Sequence, residues 1–331
     1  MEQIIMMAHG SGGRLSHELI RKLFHKYLKN TYLEQMNDAA VVPGDRVLAI
    51  ATDSFVVSPL FFRGGNIGKL SVCGTVNDLA VSGAKPKYLS LAFILEEGLP
   101  MAELESIVRS IAETALQAGV EIVCGDTKVV ERGSADRVFI NTTGIGFVAE
   151  RIVGPELIRP GDEILISGTI GDHGIAILSE REGLEFQTPV ESDCAPLNGL
   201  IDAFYMPGVK CMRDPTRGGV ATTLNELAGQ AGVSMLLAED RLPLHPSVEG
   251  ACEMLGLEPL YLANEGKVLV IVAPEVSAEV LARMQAHPLG RSAARIGTVQ
   301  KENPGLVLME TALGGTRVIG MLEGEHLPRI C

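Results

Sequence analysis

A mixed α/β architecture in two domains is the fold class that this sequence predicts. Three observations carry it. A chain of 331 residues with a hydrophobic share of 46 % supplies two cores of ordinary size. Strand-like and helix-like patterns are mixed in both halves, with no single strand–helix repeat running throughout, so the class is α+β or α/β. One breaker-rich segment, Val153-Gly154-Pro155 through Arg159-Pro160-Gly161-Asp162, divides the halves.

In chain order, His9-Gly10-Ser11-Gly12-Gly13-Arg14 is a flexible Gly-rich opening, followed by an amphipathic helix with Leu15, Leu19, Leu23, Phe24, Tyr27 and Leu28 on one side. Residues 46–57 read as a mostly buried strand interrupted by the polar Thr52-Asp53-Ser54. A helix spans 66–82 and a strand follows at 87–95. Pro100 opens a second helix, whose Leu104, Ile107, Val108, Ile111 and Ala115 keep helical spacing until Gly119 stops it. Strands at 120–124 and 137–149 close the first half. The second half reads as a strand at 163–167, helices at 172–182 and 195–205, and a long helix beginning at Thr216 or Gly218. A helix at 247–256, a strand at 267–273, a helix at 276–286 and strands at 294–299, 305–310 and 316–321 follow. From Gly324 the chain reads as a loose tail, whose residues at ~3.3 Å each reach ~26 Å, enough to carry the last residue from outside a cleft to inside it.

The bulk properties exclude several classes. A net charge of −13 argues against nucleic acid and anionic membrane surfaces as partners. No stretch approaches the ~18 apolar residues of a membrane span, and the start, Met1-Glu2-Gln3-Ile4, has no basic region of a signal peptide. The cysteines (Cys73, Cys124, Cys194, Cys211, Cys252 and Cys331) form no C-x-x-C pair, which argues against a zinc or dithiol site. Cys73, Cys124 and Cys252 lie among apolar or small residues, as core thiols do. Together these features predict a cytoplasmic protein of a reducing compartment. Glycine is the outlier, at 37 of 331 residues, and much of the excess sits beside Asp, Asn or Thr, where backbone turns sharply or approaches a ligand.

Four aspartates of the first half each lie beside small or amide residues: Asn37-Asp38-Ala39-Ala40, Thr52-Asp53-Ser54, Asn77-Asp78-Leu79-Ala80 and Gly125-Asp126-Thr127-Lys128. Asp53 interrupts an apolar strand and Asp126 follows the apolar run 120–124, so each carboxylate must be paired, hydrogen-bonded or metal-bound to escape a large desolvation cost. Each alone is explained by a cap or turn; the four together point to a metal–nucleotide site, since Mg2+ is held by a few carboxylates plus substrate phosphates. Neither a G-x-x-x-x-G-K-[ST] loop nor a G-x-G-x-x-G turn is present. In the second half, Arg213-Asp214-Pro215-Thr216-Arg217-Gly218-Gly219 precedes a helix and offers either an anion site with Arg217 or a cap by Asp214 or Thr216. Asn264-Glu265-Gly266-Lys267 opens a strand, as a turn or with Glu265 reaching a cleft. The chain ends Pro328-Arg329-Ile330-Cys331. A terminal thiol carries its own carboxylate and is better placed to swing on a tether than to support a core.

Taken together, these residues resemble the HypE family of hydrogenase-maturation carbamoyl dehydratases, in the PurM-type ATP-binding superfamily, over essentially the whole chain. The internal motifs, including Gly74-Thr75-Val76-Asn77-Asp78-Leu79-Ala80, mark the superfamily, and the terminal Cys331 marks the member. The resemblance implies a two-domain PurM-like (aminoimidazole-ribonucleotide-synthetase-like) fold in which N-terminal sheets pair into a barrel in a homodimer. It divides the chain into a Gly-rich segment and helix (1–43), an ATP-binding and dimerisation domain (44–152), a C-terminal α/β domain (153–322) and a flexible tail (323–331). It implies that HypF loads Cys331 with a carbamoyl group, that ATP drives dehydration of that group to S-cyanate, and that the HypC–HypD complex accepts the cyanide. By matching, Asp38, Asp53, Asp78 and Asp126 hold Mg2+ and ATP with Asn77, Thr127 and Lys128 close by. Asp214, Thr216, Arg217 and Gly218 face the tail and phosphate, and Lys128 and Glu265 handle protons. An amide oxygen leaves poorly, so phosphoryl transfer to it, which mainly needs positioning and charge neutralisation, precedes expulsion of phosphate by removal of the N–H proton.

Two other readings compete. A related kinase or synthetase, akin to selenophosphate synthetase or thiamine-monophosphate kinase, would use the same carboxylates on a soluble substrate, although residues 8–14 lack the reactive cysteine of the former. A non-enzymatic thiol carrier would bind nucleotide only to gate a partner.

Overall fold

The computed structural model describes residues 4–6, 19–31, 47–148, 153–183, 190–322 and 330–331. The Gly-rich opening, Asp38, the expected boundaries at 43/44 and 152/153, and tail residues 323–329 lie outside the described residues.

A π-type turn, Ile20–Phe24, runs into helix α1 (His25–Leu28). The first domain then builds a four-stranded sheet from β1 (Leu48–Phe55), β4 (Ala84–Glu96), β5 (Glu121–Val130) and β6 (Val138–Val148), with a two-stranded ribbon of β2 (Phe61–Phe62) and β3 (Gly65–Asn66). Its order is β1-β6-β4-β5, and only β4 and β5 run parallel. Helices α2 (Ile67–Val81) and α3 (Met101–Ala118) cover one face. Helix α2 is apolar almost all round and is buried accordingly, between the sheet and α3. Asn66 caps it, its side-chain oxygen accepting from the N–H groups of Gly68 and Lys69. Helix α3 shows the expected apolar stripe, and Gly119 ends it in the left-handed region at φ 68°.

The second domain is a seven-stranded sheet of β7 (Glu163–Ile166), β8 (Val209–Arg213), β9 (Ser234–Ala238), β10 (Leu269–Val272), β11 (Ala294–Gln300), β12 (Val307–Glu310) and β13 (Thr316–Ile319). The order is β13-β12-β9-β11-β7-β10-β8. Helices α4 (Asp172–Glu182), α5 (Asn198–Phe204), α6 (Gly219–Ala231), α7 (Pro246–Leu255) and α8 (Pro274–Ala286) complete the domain.

The elements follow the sequence reading with several differences. Strand β1, expected to be mostly buried, alternates between exposed and half-buried residues up to Phe55, because one face of its sheet is uncovered, and the β2–β3 ribbon was not expected. Strands β8 and β9 were not expected; each is five residues long, and both owe their place to sheet partners distant in the chain. Strand β5 continues six residues past the expected end at 124, so Gly125-Asp126-Thr127-Lys128 is strand rather than loop. Gly125 permits this, because a Cβ there would stand 2.3 Å from the Leu91 carbonyl oxygen. The helix expected at 195–205 is confined to Asn198–Phe204.

Side chains knit the domains. Arg181 donates to the Ser58 carbonyl at 2.8 Å, Asn198 to the Ala118 carbonyl at 2.7 Å, and Arg63 pairs with Glu180 at 3.0 Å. Deepest in the seam is Asn77 of α2. Its amide donates to the carbonyls of Ala195 (3.1 Å) and Glu265 (3.3 Å), and its oxygen accepts the Leu197 N–H (2.8 Å). Truncating a buried group of this kind orphans several polar atoms at once. We expect Asn77→Ala to lower the melting temperature by roughly 5 °C, the effect of about 2 kcal/mol in a chain of this size; an unchanged melting curve would show that the seam does not need it.

Candidate functional site at the domain seam

Three segments bring charge to the seam. Strand β1 carries Asp53 on its helix-covered face, opposite Thr142 of β6. Helix α2 supplies Asp78, and the loop before α6 supplies Asp214 and Arg217. These carboxylates repel one another: burial first, then Asp214 and Asp53, push Asp78 up to about 7. Burial likewise lifts Asp214 to about 6 and raises Asp53 against the pull of Arg217, whose guanidinium lies 3.6 Å from the Asp53 carboxylate. Gly218, not Asp214 or Thr216, occupies the cap position of α6, and no side chain caps that helix, so the capping alternative is not realised.

Glu265 closes the site from the second domain. It is 3 % exposed, its Oε1 has no hydrogen-bond partner among the described residues, and burial with nearby Asp193, Asp214 and Asp53 drives its carboxyl well above the usual range. Its loop is rigidly held. Asp193 accepts the N–H groups of Glu265 (3.1 Å) and Gly266 (3.2 Å) and pairs with Lys267 at 3.1 Å. Burial alone would raise Asp193, but Lys267 and the Glu265 N–H overcome it and hold the carboxyl below its ordinary value. Gly266 is required here, since a Cβ would lie 1.9 Å from the Asp193 carbonyl oxygen. Asn264 ties the loop to its neighbours, donating to the Pro215 carbonyl at 3.0 Å and accepting the Gly171 N–H at 2.8 Å.

The end of the chain enters this pocket. Ile330 is buried in the first domain's core cluster, and Cys331 packs against it. The Val56 N–H donates to a Cys331 terminal oxygen at 3.2 Å. The thiol faces Glu265, Arg217 and Asp53; burial, then Glu265, push it up to about 12 despite a hydrogen bond from Arg217. Docking is finely balanced. Burying Ile330 contributes about 2 kcal/mol, whereas fixing two residues costs roughly 2–4 kcal/mol. The hydrogen bonds to the tail therefore decide its occupancy.

The remaining predicted residues divide. Asp126 and Lys128 stand on the sheet's uncovered face, in register with Ala92 and Ile94 of β4, and strand β5 is at the edge opposite β1, about 14 Å away at ordinary strand spacing. A single chain does not bring them to Asp53. Thr127 alternates onto the covered face, opposite Phe93. Thr216 lies in the loop beside Asp214, its N–H bonded to the Asp214 carbonyl at 3.0 Å. Asn77 is near the site, but its side chain bonds main-chain groups of the seam. Among the described residues no three His, Cys, Asp or Glu side chains converge closely enough to hold a metal by themselves. Asp53, Asp78 and Asp214 nevertheless fit a divalent cation whose shell is completed by phosphates, because their mutual repulsion is what such a cation relieves. Sequence reasoning passed over His173, Ser192 and Asp193; Gly171-Asp172-His173-Gly174 shares with Gly125-Asp126 and Glu265-Gly266 an acidic residue beside glycine.

The raised carboxyls set a pH dependence. A carboxyl with a folded pKa above its unfolded value near ~4 contributes stability below that pH, which is lost as pH rises through the folded value. With Asp214 at about 6 and Asp78 at about 7, the metal-free chain should lose melting temperature as pH rises from about 4 to about 7. Asp78→Asn should flatten the upper part of that slope, and a variant with the wild-type slope would remove Asp78 as its cause.

Comparison with known proteins agrees with this architecture. Residues 36–148 match the family described as AIR synthase related protein, N-terminal domain, and residues 159–308 match its C-terminal domain. The chain is 54 % identical to carbamoyl dehydratase HypE of Cupriavidus necator, over 99 % of this chain and 95 % of that protein. A crystal structure of the hydrogenase maturation protein HypE in complex with ATP superimposes with a TM-score of 0.95 at 50 % identity, covering 98 % of this chain and 99 % of that one. HypE from a HypE–HypF complex superimposes with a TM-score of 0.81 at 50 % identity, covering 92 % and 99 %. The two-domain PurM-like expectation is met, and the relatives separate this chain from the kinases and synthetases of the same fold: it belongs to the HypE family of carbamoyl dehydratases.

Proposed function

We propose that this chain dehydrates a carbamoyl group carried on its own Cys331 to S-cyanate at the expense of ATP, supplying cyanide for hydrogenase iron-centre assembly. The observation that carries the reading is the terminal thiol docked against Glu265, Arg217 and Asp53. A tail held there makes the reaction intramolecular, a large gain when geometry is right.

The atoms balance in two steps. The carbamoyl oxygen takes the γ-phosphoryl group of ATP, releasing ADP and one N–H proton; loss of the second N–H proton then expels phosphate and leaves S–C≡N. Arg217, already beside both the thiol and Asp53, neutralises charge developing on the transferred group. Glu265 is the candidate proton acceptor. Its high pKa makes it a strong base once ionised, and neutralising Asp53 and Asp214 favours that ionisation. Asp53 and Asp78, with Asp38, would hold Mg2+, which would supply neutralisation of phosphate charge. The ATP-bound relative supports the nucleotide, and the relative solved with HypF supports HypF as the carbamoyl donor's carrier. HypC–HypD is the proposed cyanide acceptor. No helix of the described residues is long and apolar enough to cross a membrane, in keeping with a cytoplasmic site of action.

A homodimer brings the remaining residues into play. The uncovered face of the first sheet exposes Leu48 (47 %), Ile50 (68 %) and Ile94 (42 %), a surface suited to pairing with a second copy. Asp126 and Lys128 lie on that face, so pairing supports their joining the nucleotide site across the interface, with Lys128 as its second proton-handling group.

Intact mass spectrometry after incubation with HypF, carbamoyl phosphate and ATP should show one carbamoyl group on Cys331, then ATP-dependent loss of one water. Modification that persists in Cys331→Ala would sink the reading. Glu265→Gln should slow the second step by about 10²–10⁴-fold while leaving carbamoylation intact. Ile50→Glu should convert a dimer to a monomer by light scattering and abolish the water loss; a fully active monomer would confine the site to one chain.

A further inference from the structure

Among the buried titratable side chains that the mechanism does not use, His173 is the one that reaches the tail. His173, in the first turn of α4, is fully buried, with its ring edge-on to Phe62 at 5.6 Å between centroids. Both ring nitrogens are engaged. Nε2 lies 2.8 Å from the Ile330 carbonyl oxygen, and Nδ1 lies 2.8 Å from Ser192 Oγ. A carbonyl only accepts, so Nε2 carries a hydrogen. Burial holds the imidazole below its ordinary pKa and keeps it neutral, so Nδ1 accepts from the Ser192 hydroxyl. Ser192 Oγ in turn accepts the Cys194 N–H at 3.1 Å. The Ile330 carbonyl, which can only accept, thus fixes the tautomer, and the one ring hydrogen points at the final peptide bond of the chain.

We propose that His173 is a positioning residue for the reaction, a neutral latch that seats the tail through the Ile330 carbonyl and must release it for Cys331 to be loaded. The latch touches only tail main chain. It therefore holds the tail alike whether the thiol is free, carbamoylated or cyanated, and leaves the thiol's surroundings to the reacting groups. Because burial of Ile330 and the ordering cost nearly cancel, one hydrogen bond is enough to shift the tail between seated and free. Its role in catalysis rests on the proposed use of Cys331 as carrier; the seating itself does not.

The test reads seating without ATP or a carbamoyl donor. Full-length protein is treated with iodoacetamide at fixed pH, and alkylation of the Cys331 peptide is followed by mass spectrometry, with melting temperatures measured alongside. In Gln the amide nitrogen sits at the reach of Nε2, so His173→Gln keeps a donor to Ile330. In Asn it sits at the reach of Nδ1, so His173→Asn keeps the Ser192 bond and loses the tail. His173→Asn should speed Cys331 alkylation about fivefold, the factor of one net hydrogen bond, with His173→Gln within about twofold of wild type. Ser192→Ala, which leaves the ring in place but removes the bond that orients it, should fall between them. Equal rates for wild type and His173→Asn, equal acceleration in the Gln and Asn variants, or a wild-type rate in Ser192→Ala would overturn the latch. A failure of the dehydratase reading would appear only in the carbamoyl-loading experiment and would leave these rates as they are.

Discussion

Everything in the site hangs on the contact between helix α2 and the loop at 264–267, and Asn77 is the side chain that makes it. One amide reaches Ala195, Leu197 and Glu265, segments that lie far apart in the chain. Its neighbour on the helix, Asp78, is thereby carried to the same seam that receives Glu265. Had Asn77 been apolar, the Ala195 carbonyl and the Leu197 N–H would lose the bonds it gives them, at a cost of about 2 kcal/mol.

Within that frame the electrostatics are deliberately unbalanced. Asp53, Asp78 and Asp214 lie along one seam, and burial first, with carboxylate repulsion added at Asp78 and Asp214, raises all three. By contrast, Asp193 sits a short way behind the same loop and is satisfied by Lys267 and two backbone N–H groups. The contrast separates the carboxylate that holds the loop from those left available for a cation and phosphates. Lone carboxyl groups of this kind are costly in an empty site and become useful once opposite charge arrives.

The terminal thiol shows the same economy of structure. Burial and Glu265 disfavour the thiolate in the docked tail, so the docked Cys331 is a poor nucleophile toward outside reagents. In the proposed reaction its loading therefore belongs to the undocked state and its conversion to the docked one. A near-balanced docking free energy suits such alternation, because neither state becomes a trap.

Much of this was legible without a structure. Helical spacing marked α2 and α3, Asp53 stood out as a charge inside an apolar strand, and the motif residues with the terminal Cys331 pointed to the family. These are local signals, written in composition and periodicity along a few consecutive residues. The strands β8 and β9 were missed because five residues carry too little periodicity, and their stability comes from distant partners. Convergence was also beyond local reading. The register of β4 and β5 shifts between Leu89 and Ser90, so that Cys124 rather than Val123 pairs with Ser90. Without that one-residue bulge Asp126 would fall opposite Phe93 on the covered face; with it, Asp126 and Lys128 face the other way. Likewise the bond from His173 to Ile330 spans 157 residues, and nothing near either residue announces it. The sequence by itself determined which residues carry charge, which segments are helix or strand, and where the reactive thiol lies. Tertiary structure alone decided which of them meet, because register and packing between distant segments set the direction in which each side chain points.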